Sequence, residues 1–218
     1  MSFTHLLFDL DGTLIDSKRG IFNSVYHTID KMGIPESMRP ANLNPFIGPP
    51  LRDSFKLLFN FSDSDAELAT TIYREYYGKT GLYEYDIYEG VAKSINYLTS
   101  CGFNLSVVTS KAEVYAKLIV ESLPFGECFT TISGCELNGT RSNKDELIEY
   151  TLNRLNIMPS VKIVMIGDRY HDIRGAKAVG ISSAAVLYGY GSKTELLNES
   201  PTLIINTPEQ LTIFDKVQ

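Results

Sequence analysis

Short apolar runs alternate with amphipathic segments along most of the chain. The apolar runs predict buried strands at Phe3–Leu10, Asn104–Thr109, Val161–Ile166, Ile181–Leu187 and Thr202–Ile205. Helical periodicity predicts helices at Val91–Ser100, Ala112–Ser122, Lys144–Leu155, Asp172–Val179 and Pro208–Phe214. Strands and helices that alternate at this spacing predict an α/β fold, a Rossmann-like parallel sheet with helices on both faces.

Residues 17–81 break this alternation. They hold no convincing strand, but amphipathic patterns predict helices at Gly20–Met32, Leu51–Phe59 and Asp65–Tyr77, with prolines and glycines between them. A segment of about 65 residues is long for a connection between strands, so we interpret it as an inserted all-helical cap domain. The predicted domains are a core of residues 1–16 and 82–218 and a cap of residues 17–81.

Composition and charge narrow the class of protein. Of the 218 residues, 44% are hydrophobic, and 20 Lys and Arg against 26 Asp and Glu give a formal charge of −6. This composition favours a folded globular protein, and the acidic balance argues against a nucleic-acid partner. No apolar run approaches the ~18 residues of a membrane span, and no signal-peptide pattern precedes the first strand. We therefore expect no membrane partner and a cytoplasmic location.

Two aspartates lie at the carboxyl end of the first predicted strand. Because side chains alternate along a strand, Asp9 and Asp11 should emerge on one side, at the carboxyl end where parallel sheets place ligand crevices. Two neighbouring carboxylates repel each other unless a cation or a proton lies between them. Gly12 permits a sharp turn after them. The alternative is an ordinary Asp-Gly turn in which Asp11 caps a helix.

A second acidic pair follows the run Val161–Ile166. Asp168 comes at the end of this strand, and Asp172 comes one helical turn later, so both can face the same site. Together with Asp9 and Asp11 they would form an all-oxygen cluster, the kind of ligand set that Mg²⁺ prefers. The alternative is that Asp168 or Asp172 caps the following helix.

Candidate anion-binding groups lie in two further places. Thr109, Ser110 and Lys111 stand at a predicted strand-to-helix turn, where hydroxyls and backbone amides can bind an anion, although Ser and Thr also cap helices there. Lys144 begins the helix before Val161–Ile166, and its spacing alone assigns it no role beyond that of a surface lysine.

Two glycine-containing segments do not match nucleotide-binding motifs. Gly134 and Gly139 have the P-loop spacing, but Thr140-Arg141 follows where Lys and Ser or Thr are required. Gly189-Tyr190-Gly191 lacks the third glycine of a dinucleotide-binding motif.

The combination of motifs resembles the haloacid dehalogenase superfamily of phosphohydrolases, and within it the phosphoglycolate phosphatase-like group. The resemblance covers essentially the whole chain. It rests on Asp9–Leu14 with Asp16-Ser17, Phe46–Leu51, Gly167–Ile173 with Gly175-Ala176, and Tyr188–Ser192. It implies a haloacid dehalogenase-like core, a helical cap between the first and second motifs, and Mg²⁺-dependent hydrolysis of a small phosphorylated metabolite.

The resemblance also implies catalytic and metal-binding roles. Asp9 would be the nucleophile that forms an aspartyl-phosphate, and Asp11 would protonate the leaving alcohol and then activate water. Mg²⁺ would bind the Asp9 carboxylate, the Asp11 backbone carbonyl and Asp168. Asp172 would lie behind these ligands or contact the ion through a water molecule.

For the phosphate, the resemblance implies three binding residues. Thr109, the Ser110 amide and Lys144 would hold the transferring oxygens and neutralise the charge that spreads over them. One departure from the family pattern concerns Arg169 and Tyr170, which are bulky where small residues often follow the aspartate.

Several alternatives stay open within and outside this reading. Asp11 favours phosphoryl chemistry, since dehalogenases have no leaving alcohol to protonate and do not carry this second aspartate. A 5'-nucleotidase-type phosphatase and a sugar phosphomutase or phosphotransferase would use the same scaffold, although phosphomutases usually carry a carboxylate at the position of Gly167. A receiver-like phospho-acceptor domain is the non-enzyme alternative, but receivers are much shorter and lack an inserted helical module.

The cap is expected to select the substrate. Arg52 is the candidate substrate-binding residue there, the alternative being a surface arginine. We interpret the tyrosine-rich stretch Tyr73–Tyr88 as cap packing and connector. The expected partner is a small phosphorylated metabolite of open identity, and the oligomeric state is open, with a monomer favoured.

Overall fold

The computed structural model describes residues 3–216. Its strands are β1 (His5–Phe8), β2 (Ile15–Asp16), β3 (Asp86–Ile87), β4 (Asn104–Ala112), β5 (Phe129–Cys135), β6 (Ile163–Gly167), β7 (Ser182–Val186) and β8 (Leu203–Ile205). Six of them form one parallel sheet in the order β5-β4-β1-β6-β7-β8, and β2 and β3 pair separately. The predicted parallel α/β fold is confirmed.

Helices follow the strands of this sheet and also fill the inserted segment. The helices are α1 (Lys18–Lys31), α2 (Leu51–Phe59), α3 (Asp63–Lys79), α4 (Val91–Ser100), α5 (Glu113–Ser122), α6 (Lys144–Leu155), α7 (Tyr170–Val179), α8 (Lys193–Asn198) and α9 (Ile213–Lys216). The predicted C-terminal helix Pro208–Phe214 is a 3₁₀ turn over Pro208–Thr212 that runs into α9. Among residues 3–216, no helix is both long and apolar enough to cross a membrane.

The central strands consist of continuous apolar runs. Apolar side chains therefore lie on both faces of each strand, and both faces are buried. Leu7 of β1 packs with Val108, Met165 and the α6 residues Leu147 and Ile148. Its neighbour Phe8 points to the opposite face by strand alternation, and its ring meets Phe129 edge-to-face at 6.0 Å. Covered faces of this kind leave the strand ends as the places where polar side chains can gather.

Several elements of the core were not expected from the sequence, among them the edge strand β5 and helix α8. The edge strand β5 was not predicted, because its sequence FTTISGC is short and mixes polar with apolar residues. Helix α8 was not predicted either, because it spans less than two turns. A usable signal was present for α8: Ser192 caps it, and its hydroxyl accepts a hydrogen bond from the Glu195 amide at 3.1 Å.

The chain divides into two compact units: the sheet-containing unit, up to Asp16 and from Ile87 onward, and the helical unit, Ser17–Asp86. The structure differs from the expected boundary over residues 82–86, which lie in the helical unit. Glu84 explains this placement, because its carbonyl accepts from the Gly20 amide at 2.9 Å and its carboxylate accepts from the Asn23 side chain at 3.1 Å. Strand β3 then leads into the sheet-containing unit.

The helical unit is built around a cluster of aromatic rings. The Phe55 ring is fully buried and lies 4.7 Å from Phe46, with further rings within 6.4 Å at Phe59, Phe61 and Tyr73. Tyr73 and Tyr77 stack at 5.5 Å. These tyrosines therefore pack inside the helical unit, as the sequence indicated.

Candidate active site

The first acidic motif lies in a tight loop directly after β1. The Asp9 amide donates to the Ile166 carbonyl at 2.9 Å, so Asp9 continues the sheet pairing for one residue beyond the strand. Gly12 then takes φ +84°, and its amide donates to the Ile15 carbonyl at 2.8 Å. The chain enters β2 there rather than a helix, so the alternative role of Asp11 as a helix cap does not apply.

Asp168 is packed beneath this loop by glycines. Its side chain is fully buried, and a Cβ added at Gly12, Gly189 or Gly191 would overlap atoms of Asp168. The Tyr190 amide donates to Asp168 Oδ2 at 2.7 Å, whereas Asp168 Oδ1 has no hydrogen-bond partner in the described part of the chain. The segment Gly189–Gly191 thus supports an acidic side chain, a role that sequence reasoning missed because the contact spans more than twenty residues.

Asp172 has two neighbours that occupy its carboxylate. Its Oδ2 accepts from the Arg169 amide at 3.1 Å, which caps α7, and its Oδ1 lies 2.8 Å from Lys144 Nζ. Asp172 therefore caps α7, as the alternative interpretation expected, and it also lies in the acidic cluster. A Cβ at Gly167 would overlap the Asp172 carboxyl group, so this close packing requires glycine.

Lys144 is the central cation of the site. Its side chain is only 3% exposed, which excludes the surface-lysine alternative. The ammonium group donates to the Val108 carbonyl at 3.1 Å and lies 3.2 Å from Asp9 Oδ1 and 2.8 Å from Asp172 Oδ1. The ion pair with Oδ1 orients Asp9, and the same oxygen also accepts from the Leu10 amide at 2.8 Å.

Burial perturbs the charges of this cluster. It raises the pKa of Asp9 to about 6 even though Lys144 acts in the opposite direction, and it raises the pKa of Asp168 well above its usual value. Burial alone would lower the pKa of Lys144, but the charges of Asp172 and Asp9 outweigh it and raise that pKa. The cluster is thus short of positive charge, and such perturbed groups are typical of functional sites.

The donor set fits a small, hard cation. Asp9, Asp168 and Asp172 each offer a carboxylate oxygen, and these oxygens lie within 4.8 Å of one another. Three carboxylates against the one charge of Lys144 leave two negative charges (3 − 1 = 2). The unpartnered Asp168 Oδ1 is a buried acceptor that a cation would satisfy. An all-oxygen set with this charge deficit suits a divalent ion such as Mg²⁺.

Thr109, Ser110 and Lys111 lie within the end of β4 rather than in a strand-to-helix turn. The pairing of β4 with β5 is regular from Ser106 opposite Thr131 to Val108 opposite Ser133, and it resumes with Ala112 opposite Cys135. Ala112 lies four residues after Val108 in β4, whereas their partners in β5 are only two residues apart. Thr109, Ser110 and Lys111 therefore form a bulge. Bulges of this kind re-aim side chains at sheet ends.

The polar groups of this bulge are tied to their surroundings. Thr109 is buried, and its Oγ1 accepts from the Lys111 amide at 3.2 Å. The Ser110 hydroxyl donates to the Ser142 carbonyl at 3.2 Å, next to the start of α6. Lys111 reaches Asp11, with Nζ 2.7 Å from Oδ2 and 2.9 Å from Oδ1.

Arg169 and Tyr170, the bulky residues that depart from the family pattern, are hydrogen-bonded to α8. Arg169 Nε donates to Glu195 Oε1 at 2.9 Å, and the Tyr170 amide donates to the same oxygen at 3.1 Å. Glu195 therefore anchors the side chain of Arg169 and the backbone of Tyr170, a contact that the sequence did not reveal.

Arg52 lies in α2 of the helical unit. Its guanidinium group pairs with Asp63 at 2.8 Å, and the two side chains are 48% and 71% exposed. Lys56 shares the same carboxylate at 2.9 Å. Within its own unit, Arg52 has the environment of a surface arginine.

Further tyrosines lie beside the acidic loop in the sheet-containing unit. The Tyr190 hydroxyl donates to Asp16 Oδ1 at 2.9 Å, and the Tyr188 hydroxyl donates to the Thr13 carbonyl at 3.1 Å. The Tyr88 ring meets Tyr188 edge-to-face at 5.2 Å. Tyr88, interpreted from sequence as connector, is therefore part of the surroundings of the site.

Comparisons with known proteins identify the family of the chain. The model of the family described as haloacid dehalogenase-like hydrolase matches residues 6–186. A 5'-nucleotidase of Pseudomonas aeruginosa is 40% identical over 202 residues, which cover 93% of this chain and 90% of that protein. The tyrosine-protein kinase PtkA of Mycobacterium tuberculosis is 33% identical over 92% of this chain and 67% of its own. A phosphoglycolate phosphatase of Aquifex aeolicus is 29% identical, over 94% and 93% of the two chains.

A solved structure also resembles this chain over its whole length. The crystal structure of a candidate phosphatase from Clostridium difficile has a TM-score of 0.89 and 42% sequence identity, and the match covers 100% of both chains. This chain belongs to the haloacid dehalogenase-like hydrolase family. It is an enzyme of the phosphatase type within that family.

Proposed function

We propose that the protein is a Mg²⁺-dependent phosphomonoester hydrolase that acts on a small phosphorylated metabolite through an aspartyl-phosphate intermediate. One observation carries the proposal: the half-buried Asp9 lies beside two fully buried carboxylates and a buried lysine, and one acidic oxygen, Asp168 Oδ1, has no partner in residues 3–216. Such a cluster costs folding free energy unless a ligand completes it.

In the first step Asp9 is the nucleophile. A carboxylate oxygen of Asp9 forms a bond to phosphorus, the bond from phosphorus to the leaving oxygen breaks, and Asp11 gives its proton to that oxygen. Lys144 holds the Asp9 carboxylate in place through its contact with Oδ1. Thr109 and the Ser110 amide are the proposed partners of the phosphate oxygens.

In the second step the intermediate is hydrolysed. Asp11 takes a proton from a water molecule, whose oxygen attacks phosphorus, and the bond from phosphorus to Asp9 breaks. Inorganic phosphate leaves, Asp9 is again a free carboxylate, and Asp11 again carries the proton with which it began the cycle. Asp11 contacts Lys111 and does not belong to the three-carboxylate cluster, so its carboxylate is separate from the groups that would hold the metal ion.

The cluster residues would hold the metal ion. Asp9 and Asp168 would bind it with their carboxylates and Asp11 with its backbone carbonyl, while Asp172 would act from behind, since both of its oxygens already have partners. When bound, Mg²⁺ supplies positive charge that lets the carboxylate and the phosphate approach each other. The Tyr190 amide fixes the orientation of Asp168 toward this role.

Two substrate classes follow from the relatives. A nucleoside monophosphate is favoured by the 40% identity to a 5'-nucleotidase, and 2-phosphoglycolate by the 29% identity to a phosphoglycolate phosphatase. In this proposal the helical unit is the cap that distinguishes between them, with Arg52 as the candidate contact. Because another relative is a kinase, transfer of the phosphoryl group to an acceptor other than water is the competing activity.

The proposal predicts that Asp9→Asn abolishes hydrolysis, because an amide is a far weaker nucleophile than a carboxylate. We expect kcat to fall by about 10⁴-fold or more, as for removal of other catalytic nucleophiles. The measurement is release of inorganic phosphate from a panel of metabolite phosphates, with Mg²⁺ and with a chelator. The same panel, supplemented with acceptor alcohols, detects transfer to groups other than water.

The matched control is Glu121→Gln, an exposed acidic residue in α5 of the same unit, which should keep full activity. Circular dichroism melting should show that Asp9→Asn is folded. Mg²⁺-dependent turnover by Asp9→Asn near that of the wild type would contradict the assignment.

A further inference from the structure

A second buried lysine of the site has no role in the mechanism above. Lys111 lies in the bulge of β4, and its side chain is 8% exposed. Its ammonium group contacts both carboxylate oxygens of Asp11, at 2.7 and 2.9 Å. The two lysines thus divide the acidic groups between them, Lys144 facing Asp9 and Asp172, and Lys111 facing Asp11.

The backbone holds Lys111 in this position. The bulge places Thr109–Lys111 between the paired residues Val108 and Ala112 of β4, and the Lys111 amide donates to the Thr109 hydroxyl at 3.2 Å. Asp11, in contrast, stands in a loop next to Gly12. The contact of the Lys111 ammonium group with both of its oxygens fixes the direction of its carboxylate, because ionic hydrogen bonds are short and directional.

We propose that Lys111 is a positioning residue that aligns the Asp11 carboxyl group with the leaving oxygen of the substrate. This inference rests on the proposed function, since it assigns Asp11 the proton transfer. Lys111 itself forms and breaks no bond in the reaction.

This role has a consequence that depends on the leaving group. An alkoxide leaving group needs a proton as its bond to phosphorus breaks, so misalignment of Asp11 slows its departure. A nitrophenolate leaves without a proton, because it is a stable anion in water. Loss of alignment should therefore penalise alkyl phosphates and spare nitrophenyl phosphate.

The experiment compares kcat/KM, which reports the first irreversible step, on two esters. They are p-nitrophenyl phosphate and the alkyl phosphate that the wild type hydrolyses fastest in the metabolite panel. For Lys111→Met we expect a fall of about 100-fold on the alkyl phosphate, the lower range for general acid catalysis, and less than about threefold on p-nitrophenyl phosphate. The guanidinium group of Lys111→Arg can also contact both oxygens. This variant should therefore restore most of the wild-type ratio of kcat/KM on the alkyl phosphate to kcat/KM on p-nitrophenyl phosphate.

Two controls separate positioning from stability. Lys117→Met removes a lysine of α5 that is 46% exposed and pairs with Glu113, and it should leave both rates unchanged. If Lys111→Met does not fold, Lys111→Gln replaces it, with the same expected split between the two esters.

Equal losses on both esters in a folded Lys111 variant would overturn the inference and leave the proposed function standing. Unchanged rates on both esters, or a Lys111→Arg ratio as poor as that of Lys111→Met, would overturn it as well. A wild-type protein that hydrolyses neither ester would contradict the proposed function, and with it this inference.

Discussion

The interior of the helical unit and the polar end of the sheet treat buried polar groups in opposite ways. In the helical unit the buried hydroxyls of Ser24, Thr28 and Thr70 each donate to the carbonyl one turn earlier, at 2.6, 2.7 and 2.7 Å. At the sheet end, buried Asp168 leaves one oxygen without a partner in the described chain, and burial raises the pKa of that carboxyl.

The difference separates groups that serve folding from groups that serve a ligand. A satisfied hydroxyl inside a helical unit costs little, whereas an unsatisfied buried carboxylate costs free energy of folding. Under the proposed function, the sheet end should gain its full stability only when a cation is bound. Substitutions in the two regions should therefore change the stability of the metal-free protein in opposite directions. They should also differ in how far Mg²⁺ changes that stability.

The largest expected effect on stability is that of Phe55→Ala in the helical unit. Phe55 is the centre of the aromatic cluster, so the truncation leaves a cavity and should lower the free energy of unfolding by about 3–5 kcal/mol. The chain has no tryptophan, so circular dichroism in urea is the suitable measurement.

Leu57→Ala, two positions along the same helix, is the control for Phe55→Ala. Leu57 is 75% exposed and should change stability by less than about 0.5 kcal/mol. An equally small effect of Phe55→Ala would show that the aromatic cluster does not stabilise this unit.

Asp168→Asn is expected to change stability less than Phe55→Ala does. In the absence of metal the change should have the opposite sign. The amide removes a buried charge while keeping an oxygen for the Tyr190 amide, so the metal-free protein should melt at the same temperature or higher. Its stabilisation by Mg²⁺ should vanish. For the wild type that stabilisation is about 2.7 kcal/mol at a hundredfold excess over Kd.

Thermal melts with and without Mg²⁺ measure both quantities, and Glu121→Gln should behave as the wild type in each condition. An Asp168→Asn variant that keeps the Mg²⁺-induced shift would mean that Asp168 is not a ligand.

The smallest effect concerns the start of α3. The Ser62 hydroxyl accepts from the Asp65 amide at 3.1 Å, so Ser62→Ala should cost about 1 kcal/mol and leave the Mg²⁺ response unchanged. Ser62→Asp keeps an acceptor at the cap and should restore the loss in the same urea titration. Equal stabilities of Ser62→Ala and the wild type would refute the contribution of this cap.

The sequence predicted those features that depend on local pattern. The apolar run before Asp9 predicted β1 with its acidic loop, and the run before Asp168 predicted β6. Helices α2, α4 and α6 have the bounds that periodicity predicted. The carboxylates of Asp9, Asp11, Asp168 and Asp172 were expected together because parallel strands end at one edge of a sheet. The structure brings Asp9, Asp168 and Asp172 together, whereas the Asp11 carboxylate pairs with Lys111.

Long-range contacts could not be predicted in this way. The bulge in β4 depends on its pairing with β5, an edge strand without a clear apolar pattern, so the position of Lys111 was invisible in the sequence. The contact of Gly189 and Tyr190 with Asp168 depends on how two loops meet after folding. Both are tertiary effects that local propensity does not encode.

The central claim, that Asp9 becomes phosphorylated during turnover, can be tested by reductive trapping. Borohydride converts an aspartyl-phosphate into homoserine, which mass spectrometry of the peptide containing residue 9 detects. With substrate and Mg²⁺ present, we expect homoserine at position 9, and none in Asp9→Asn or when Mg²⁺ is chelated. Steady turnover with unmodified Asp9, or trapping at another aspartate, would contradict the claim.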